Sequence, residues 1–257
     1  MKKELPNIYR ILVTGAKGFI GRNLIERLNS QFNVKILEFD KDDGLEKLSQ
    51  YCKMCDFVFN FAAVHRPTDS SEFNTVNFLQ FNFLLDQLKK NNNCCPVLYT
   101  SSIQSNNGTL YGKSKFDAEC ALKEHSKEMN SRGIIYRLTN TFGQYARPYS
   151  HSVVATFCAS TVEGRPLLVS DRNIIMHFAY IDDVIDSFIS RLLEGNEIND
   201  KDNDFYEIAS DKIINISLGE LADLISSFPN KQVNDITSSK ELLFFRTYEY
   251  YRDKNKL

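Results

Sequence analysis

Short apolar runs alternate with amphipathic stretches through the first 143 residues, and the two periods predict strands and helices in turn. Ile11-Leu-Val-Thr-Gly15 reads as a buried strand entering a glycine loop, and Ile20, Leu24, Ile25 and Leu28 follow at helical spacing. Val34 to Phe39 and Phe57 to Phe61 predict a second and a third strand. A long helical stretch then carries Phe73, Val76, Phe83, Leu84 and Leu88. Val97 to Ser101 is a fourth strand, which leads through the polar loop Gln104-Ser-Asn-Asn-Gly108 into another helix; Ile134 to Leu138 is a fifth. Strand–helix alternation without hairpin signals predicts an α/β fold, a Rossmann-type doubly wound parallel sheet with helices on both faces.

Beyond Gly143 the alternation loosens into aromatic, loop-rich segments such as Gln144-Tyr-Ala-Arg-Pro-Tyr149. The spacing of Ser217 and Glu220 predicts a capping box at the start of a late helix. One domain across residues 1–257 is expected, with a nucleotide-binding lobe over about 8–143 and 176–200. A small, discontinuous C-terminal substrate lobe takes about 144–175 and 201–257. Phe244, Phe245, Tyr248, Tyr250 and Tyr251 form either core or an exposed surface, the latter making a homodimer the candidate assembly.

Composition changes this picture little. The chain has 257 residues, 42% hydrophobic and 25% charged, which suits one large domain. A net charge of −2 gives no reason to expect nucleic acid or an anionic membrane as partner. No apolar run approaches the roughly 20 residues that span a bilayer. Met1-Lys-Lys-Glu-Leu-Pro6 lacks a signal-peptide apolar region, so a cytoplasmic location is expected. Cys52-Lys-Met-Cys55 has the spacing of half a zinc site, but the adjacent pair Cys94-Cys95 does not supply the other half. Buried thiols are expected, and no metal.

Two constellations carry chemistry. Gly15, Gly18 and Gly21, with Lys17, Phe19 and Ile20 between them, follow a strand and open a helix. There a phosphate can approach backbone N–H groups at the positive end of the helix dipole. Asp40, at the end of the second strand, suits the ribose hydroxyls of NAD; Lys41, Lys17 and Arg22 suit the 2′-phosphate of NADP. The residues alone leave NADH and NADPH both open.

The second constellation is Ser102, Tyr111 and Lys115. A free tyrosine has a pKa of about 10, too high for proton exchange near neutrality. An ammonium one turn away at Lys115, together with the positive nicotinamide of the oxidised cofactor, is expected to stabilise the phenolate and bring that value down. In the reducing direction Tyr111 would donate a proton to a carbonyl oxygen, while Ser102 hydrogen-bonds that oxygen as charge develops.

These residues resemble the extended short-chain dehydrogenase/reductase superfamily, the NAD-dependent epimerases and dehydratases, over nearly the whole chain. The resemblance implies that Asn60-Phe61-Ala62-Ala63 lines the dinucleotide and that Asn77 supports it. It implies that Arg137-x-x-Asn140-x-x-Gly143 contacts nicotinamide and substrate, and Tyr180-Ile-Asp-Asp183 matches a late motif of the group. Gly15-Ala-Lys-Gly-Phe-Ile-Gly21, His65-Arg66-Pro67, Ser101-Ser-Ile-Gln104, Ser152-Val-Val-Ala-Thr-Phe-Cys158 and Asp171-Arg-Asn173 are similar to the reductases of bacterial capsule and O-antigen clusters. Those enzymes reduce the 4-keto group of UDP-2-acetamido-2,6-dideoxyhexoses, and the likeness leans the cofactor toward NADPH.

A nucleotide-sugar substrate is thereby implied, held by Ser102, Arg66, Asn140, His151 and Arg172. His151 stands where an Asn is common, and Met176 stands where many epimerases place a phosphate-binding Arg, which leaves Arg172 or Arg147. The reductases' C-terminal cupin domain has no counterpart before Leu257, so its second activity is not implied. Ile103-Gln104-Ser105 offers no carboxylate pair for a 4,6-dehydration. A 4-epimerase with tightly bound NAD would share Ser, Tyr and Lys and is the alternative; a non-catalytic nucleotide-binding or assembly protein is a third reading.

Overall fold

The computed structural model describes residues 9–63, 78–150, 152–195 and 205–255. Two units are distinguished by their internal packing, Met1–Leu138 with Ser187–Glu207, and Thr139–Asp186 with Ile208–Leu257.

The first unit is built on β1 (Tyr9–Thr14), β2 (Val34–Phe39), β3 (Phe57–Asn60), β4 (Val97–Ser102), β5 (Gly133–Leu138) and β8 (Phe205–Tyr206). They lie in the order β2-β1-β3-β4-β5-β8, every pair parallel. Parallel neighbours need crossovers, and α1 (Phe19–Gln31), α2 (Leu45–Cys52), α3 (Gln80–Lys90) and α4 (Leu110–Met129) lie between successive strands. β3 and β4 are buried at every position, as central strands covered on both faces should be.

Strand alternation sends Val58 to one face, into a core with Leu12, Leu84, Leu88, Val97 and Leu122. It sends Phe59 to the other, where Phe188 packs with ring centroids 6.4 Å away and stacks on Phe61 at 5.6 Å. The doubly wound sheet expected from the sequence is present, with β8 as an unforeseen sixth strand. Two residues are too short to show a period. The predicted helix through Phe73 and Val76 lies partly outside the described residues; its described part is α3.

The second unit carries β6 (Asn140–Phe142), β7 (Ile175–Tyr180) and β9 (Ile213–Ser217) as a three-stranded sheet, parallel between β6 and β7 and antiparallel between β7 and β9. Its helices are α5 (Val153–Val162), α7 (Leu218–Ser227) and α8 (Ser239–Lys254). The unit boundary falls inside α6 (Ile181–Glu194). The sequence reading returned the chain to the first lobe at 176, whereas β7 pairs with β6 and β9, so the return comes at Ser187. The Ser217–Glu220 capping box forms as expected.

Four of the five C-terminal aromatics are core, and Tyr250 is half-buried. Phe244 stacks on Phe142 at 4.5 Å, Phe245 and Tyr248 close around Phe228, and the Tyr251 hydroxyl donates to the Ala146 carbonyl. Phe244, Phe245, Tyr248 and Tyr251 are all buried, so they supply no docking face for a second copy. No helix among the described residues is long and apolar enough to cross a membrane.

Candidate active site

β1 delivers the glycine loop to the sheet's C-terminal edge, the end of an open parallel sheet where ligands bind. Gly15 has φ +65°, and a Cβ there would lie 2.9 Å from both the Ala62 nitrogen and the Phe61 carbonyl carbon. The same two residues are tied to β1, since Phe61 N donates to Thr14 O at 3.2 Å and Ala62 N to Thr14 Oγ1 at 3.3 Å. A Cβ on Gly21 would run into the carbonyl oxygens of Gly15 and Ala16. Gly18 is the N-cap of α1 and has no side chain to offer its first-turn amides. A helix start left open in this way fits a diphosphate.

At the end of β2 the Asp40 carboxylate accepts from two backbone amides, Lys17 N at 2.7 Å and Lys41 N at 2.8 Å. One acid thus holds two basic residues at the corner where an adenosine ribose would lie. Lys17 Nζ also stands 3.7 Å from Asp42 Oδ2, both exposed.

β4 ends at Ser102, a 3₁₀ turn runs over Ile103–Asn106, and α4 begins after Thr109, whose hydroxyl accepts from Gly112 N at 3.0 Å. Gly112 has no room for a side chain, because a Cβ would meet Gln104 O and Asn107 Oδ1. The first turn of α4 is thereby pressed onto the 3₁₀ turn. This contact brings the Tyr111 phenol to the Ser102 side chain. Ser102 Oγ also accepts from Gln104 N at 3.1 Å. Behind them Lys115 is buried; its Nζ donates to Thr100 O at 2.9 Å and lies 4.9 Å from the Tyr99 ring centroid and 5.9 Å from that of Tyr111.

Burial dominates the titration of this set. The Tyr111 phenol is raised above its ordinary value by loss of water, and the Ser102 hydrogen bond only partly opposes that. Lys115 is lowered to about 8, again by burial, with the Glu119 charge pulling the other way. The lowering of Tyr111 expected from Lys115 and the nicotinamide charge together is not seen in the chain alone, where desolvation acts against the charged form of both side chains.

Glu119 is the residue that the sequence reading missed. It is buried, accepts from Ser101 Oγ, and takes a two-point bond from Arg137, Nε to Oε1 at 3.0 Å and Nη2 to Oε2 at 2.7 Å. Its signal was available, because it continues the four-residue spacing of Tyr111 and Lys115. Arg137, the first residue of the segment that the resemblance places at nicotinamide and substrate, gives its guanidinium to Glu119 and lies 4.8 Å from the Phe205 ring.

The remaining expected residues belong to both units. Phe61 stacks on Phe188, Ala62 is half-buried and Ala63 exposed. In the second unit Asn140 Nδ2 donates to His177 O at 3.2 Å, and Arg172 Nη2 pairs with Asp223 at 2.6 Å and with Gly219 O at 3.3 Å. Arg66, Asn77 and His151 lie outside the described residues. Cys52, Cys55 and Cys95 are buried, and burial pushes the Cys52 thiol up.

A family model described as the NAD dependent epimerase/dehydratase family matches residues 11–209. The chain belongs to that family. It is thus one of the extended short-chain dehydrogenases/reductases. It is 32% identical over 223 residues to the UDP-2-acetamido-2,6-beta-L-arabino-hexul-4-ose reductase of Pseudomonas aeruginosa, covering 87% of this chain and 58% of that one. The capsular polysaccharide assembling protein CapF from Staphylococcus aureus superposes with a TM-score of 0.79 at 29% identity, over 94% of this chain and 64% of that one. The chain therefore spans less than two thirds of either relative. A UDP-glucuronic acid 4-epimerase from Bacillus cereus, solved with NAD, shares the fold with a TM-score of 0.78 at 19% identity, over 95% of this chain and 99% of that one.

Proposed function

We propose that this protein uses NADPH or NADH to reduce the 4-keto group of a nucleotide-linked 6-deoxy-N-acetylhexosamine, UDP-linked, in the synthesis of a bacterial surface polysaccharide. The observation that carries the reading is the meeting of Tyr111 with Ser102, with Lys115 buried behind them at the Thr100 carbonyl and 5.9 Å from the Tyr111 ring centroid. The bound dinucleotide supplies hydride. Tyr111 gives its proton to the C4 oxygen, Ser102 donates to the same oxygen as charge builds, and the Lys115 ammonium stabilises the phenolate left behind. One hydride at carbon and one proton at oxygen balance the conversion of ketone to alcohol.

Ile103, Gln104 and Ser105 follow Ser102 with no carboxylate, which speaks against elimination of water. The Pseudomonas aeruginosa relative supports the substrate class. Asp40, which holds the Lys17 and Lys41 backbone amides, suits a ribose hydroxyl of either cofactor, and the two lysines carried there favour NADPH. The test is a label. With NADPH carrying deuterium at the transferring position, the released sugar gains deuterium at C4. Isomerised sugar without label would point instead to a 4-epimerase that keeps its NAD.

A further inference from the structure

The inner stripe of α4 carries three titratable side chains at four-residue spacing, and each is anchored to one of three consecutive residues of β4. Tyr111 meets Ser102, Lys115 meets the Thr100 carbonyl and Glu119 meets Ser101. The first two are the proposed reacting pair. The third has no part in proton donation, yet it is among the most buried carboxylates of the chain, its side chain only 2% exposed. Burying a carboxylate is costly unless it is fully bonded, and three donors from two strands satisfy this one.

We propose that Glu119 is a positioning residue for the Tyr111–Lys115 pair: clamped by Ser101 and Arg137 one helical turn beyond Lys115, its carboxylate keeps Lys115 an ammonium at the Thr100 carbonyl, facing Tyr111. The role rests on the reading of Tyr111 and Lys115 as the reacting pair. The clamp fixes the place of the carboxylate. Ser101 sets its depth against β4, and the fork of Arg137 sets its plane. Lys115 faces Tyr99 from β4 and Tyr111 and Glu119 from its own helix, so Glu119 is the one carboxylate acting on it among the described groups. Arg137 faces Glu119 across the sheet and feels Glu207 beyond it, while Cys120 lies beside Glu119 on α4. The Glu119 charge, one helical turn away, opposes the burial that drives Lys115 toward neutrality.

The experiment reads Lys115 directly, in the full chain labelled with ¹³Cε-lysine and titrated by NMR, the Lys115 signal being the one lost in Lys115→Met. In Glu119→Gln the Lys115 midpoint moves down by about one pH unit, and Glu119→Asp, which keeps the charge, restores most of it. Because Glu119→Gln leaves Arg137 unpaired and can fail to fold, the double variant Glu119→Leu/Arg137→Met is the second arm. Replacing a buried ion pair by apolar residues is generally tolerated, and a downward shift is expected there too, smaller than in Glu119→Gln because the Arg137 cation leaves with the carboxylate. The high-pH limb of turnover moves down with the midpoint. An unchanged Lys115 titration in either folded variant overturns the proposal. A shifted titration in a protein that turns over no 4-keto sugar leaves the role of Glu119 standing and removes the reductase reading instead.

Discussion

Lys115 donates from a buried Nζ to the carbonyl oxygen of Thr100, 2.9 Å away, and that bond fixes the ammonium beneath the ring of Tyr111. A side chain with four rotatable bonds is thereby reduced to one position by a strand carbonyl that the sheet itself holds. The arrangement places a cation without a carboxylate in direct contact with it, and this is why burial can lower it to about 8.

From that value follows a pH dependence. Reduction needs Lys115 charged, so turnover falls as pH rises through about 8. Stability runs the other way. Between about 8 and the unfolded value near 10.4 the unfolded chain holds a proton that the folded chain has lost. Stability therefore rises with pH across that window, and the penalty is complete below it. Urea unfolding of wild type and Lys115→Met checks the sign, since the wild type gains on the variant from pH 8 to 10. A constant difference would contradict it.

The glycine loop makes a steric prediction. Gly21→Ala places a methyl against the carbonyls of Gly15 and Ala16. It should destabilise the fold by about 1–3 kcal/mol and weaken dinucleotide binding together. Thermal melts and a fluorescence titration with NADPH measure the two, and a loss in neither would mean that α1 can move off β1 freely.

Cofactor choice is tested at the corner held by Asp40. Lys41→Ala should weaken NADPH by about 1 kcal/mol, roughly fivefold, and leave NADH unchanged. Equal dissociation constants for NADPH before and after the change would remove Lys41 from the 2′-phosphate site.

Away from the chemistry, Arg132 is completely buried, with Nη2 2.8 Å from Glu194 and 3.1 Å from the Tyr206 hydroxyl, and Nη1 3.1 Å from Gly195 O. Arg132→Ala strips three partners at once and should cost about 3–5 kcal/mol. Chemical denaturation gives the number, and a loss under about 1 kcal/mol would show that the network contributes little.

The residues that declared themselves in sequence were those with a period or a spacing. The five first strands lie where the apolar runs put them, and the Ser217–Glu220 box formed because capping is local. β6, β7 and β9 did not show, because β6 is three residues long and the burial along β7 and β9 follows no regular alternation. Tyr111, Lys115 and Ser102 were legible as a set, and the structure brings them together. Their titration was not legible, because it depends on burial, which sequence spacing does not report. Arg137 illustrates the same limit. Its place at the end of β5 was readable, while its partner sits 18 residues earlier on α4.

The reductase account is tested most directly by mixing the protein with a UDP-4-keto-6-deoxy-N-acetylhexosamine pool and following the absorbance of NADPH and NADH separately. The account predicts loss of reduced cofactor, mole for mole with ketone. In Tyr111→Phe it predicts a rate about 10²–10⁴-fold lower with cofactor binding intact. No loss of reduced cofactor, with the sugar isomerised, or undiminished turnover by Tyr111→Phe, would contradict it.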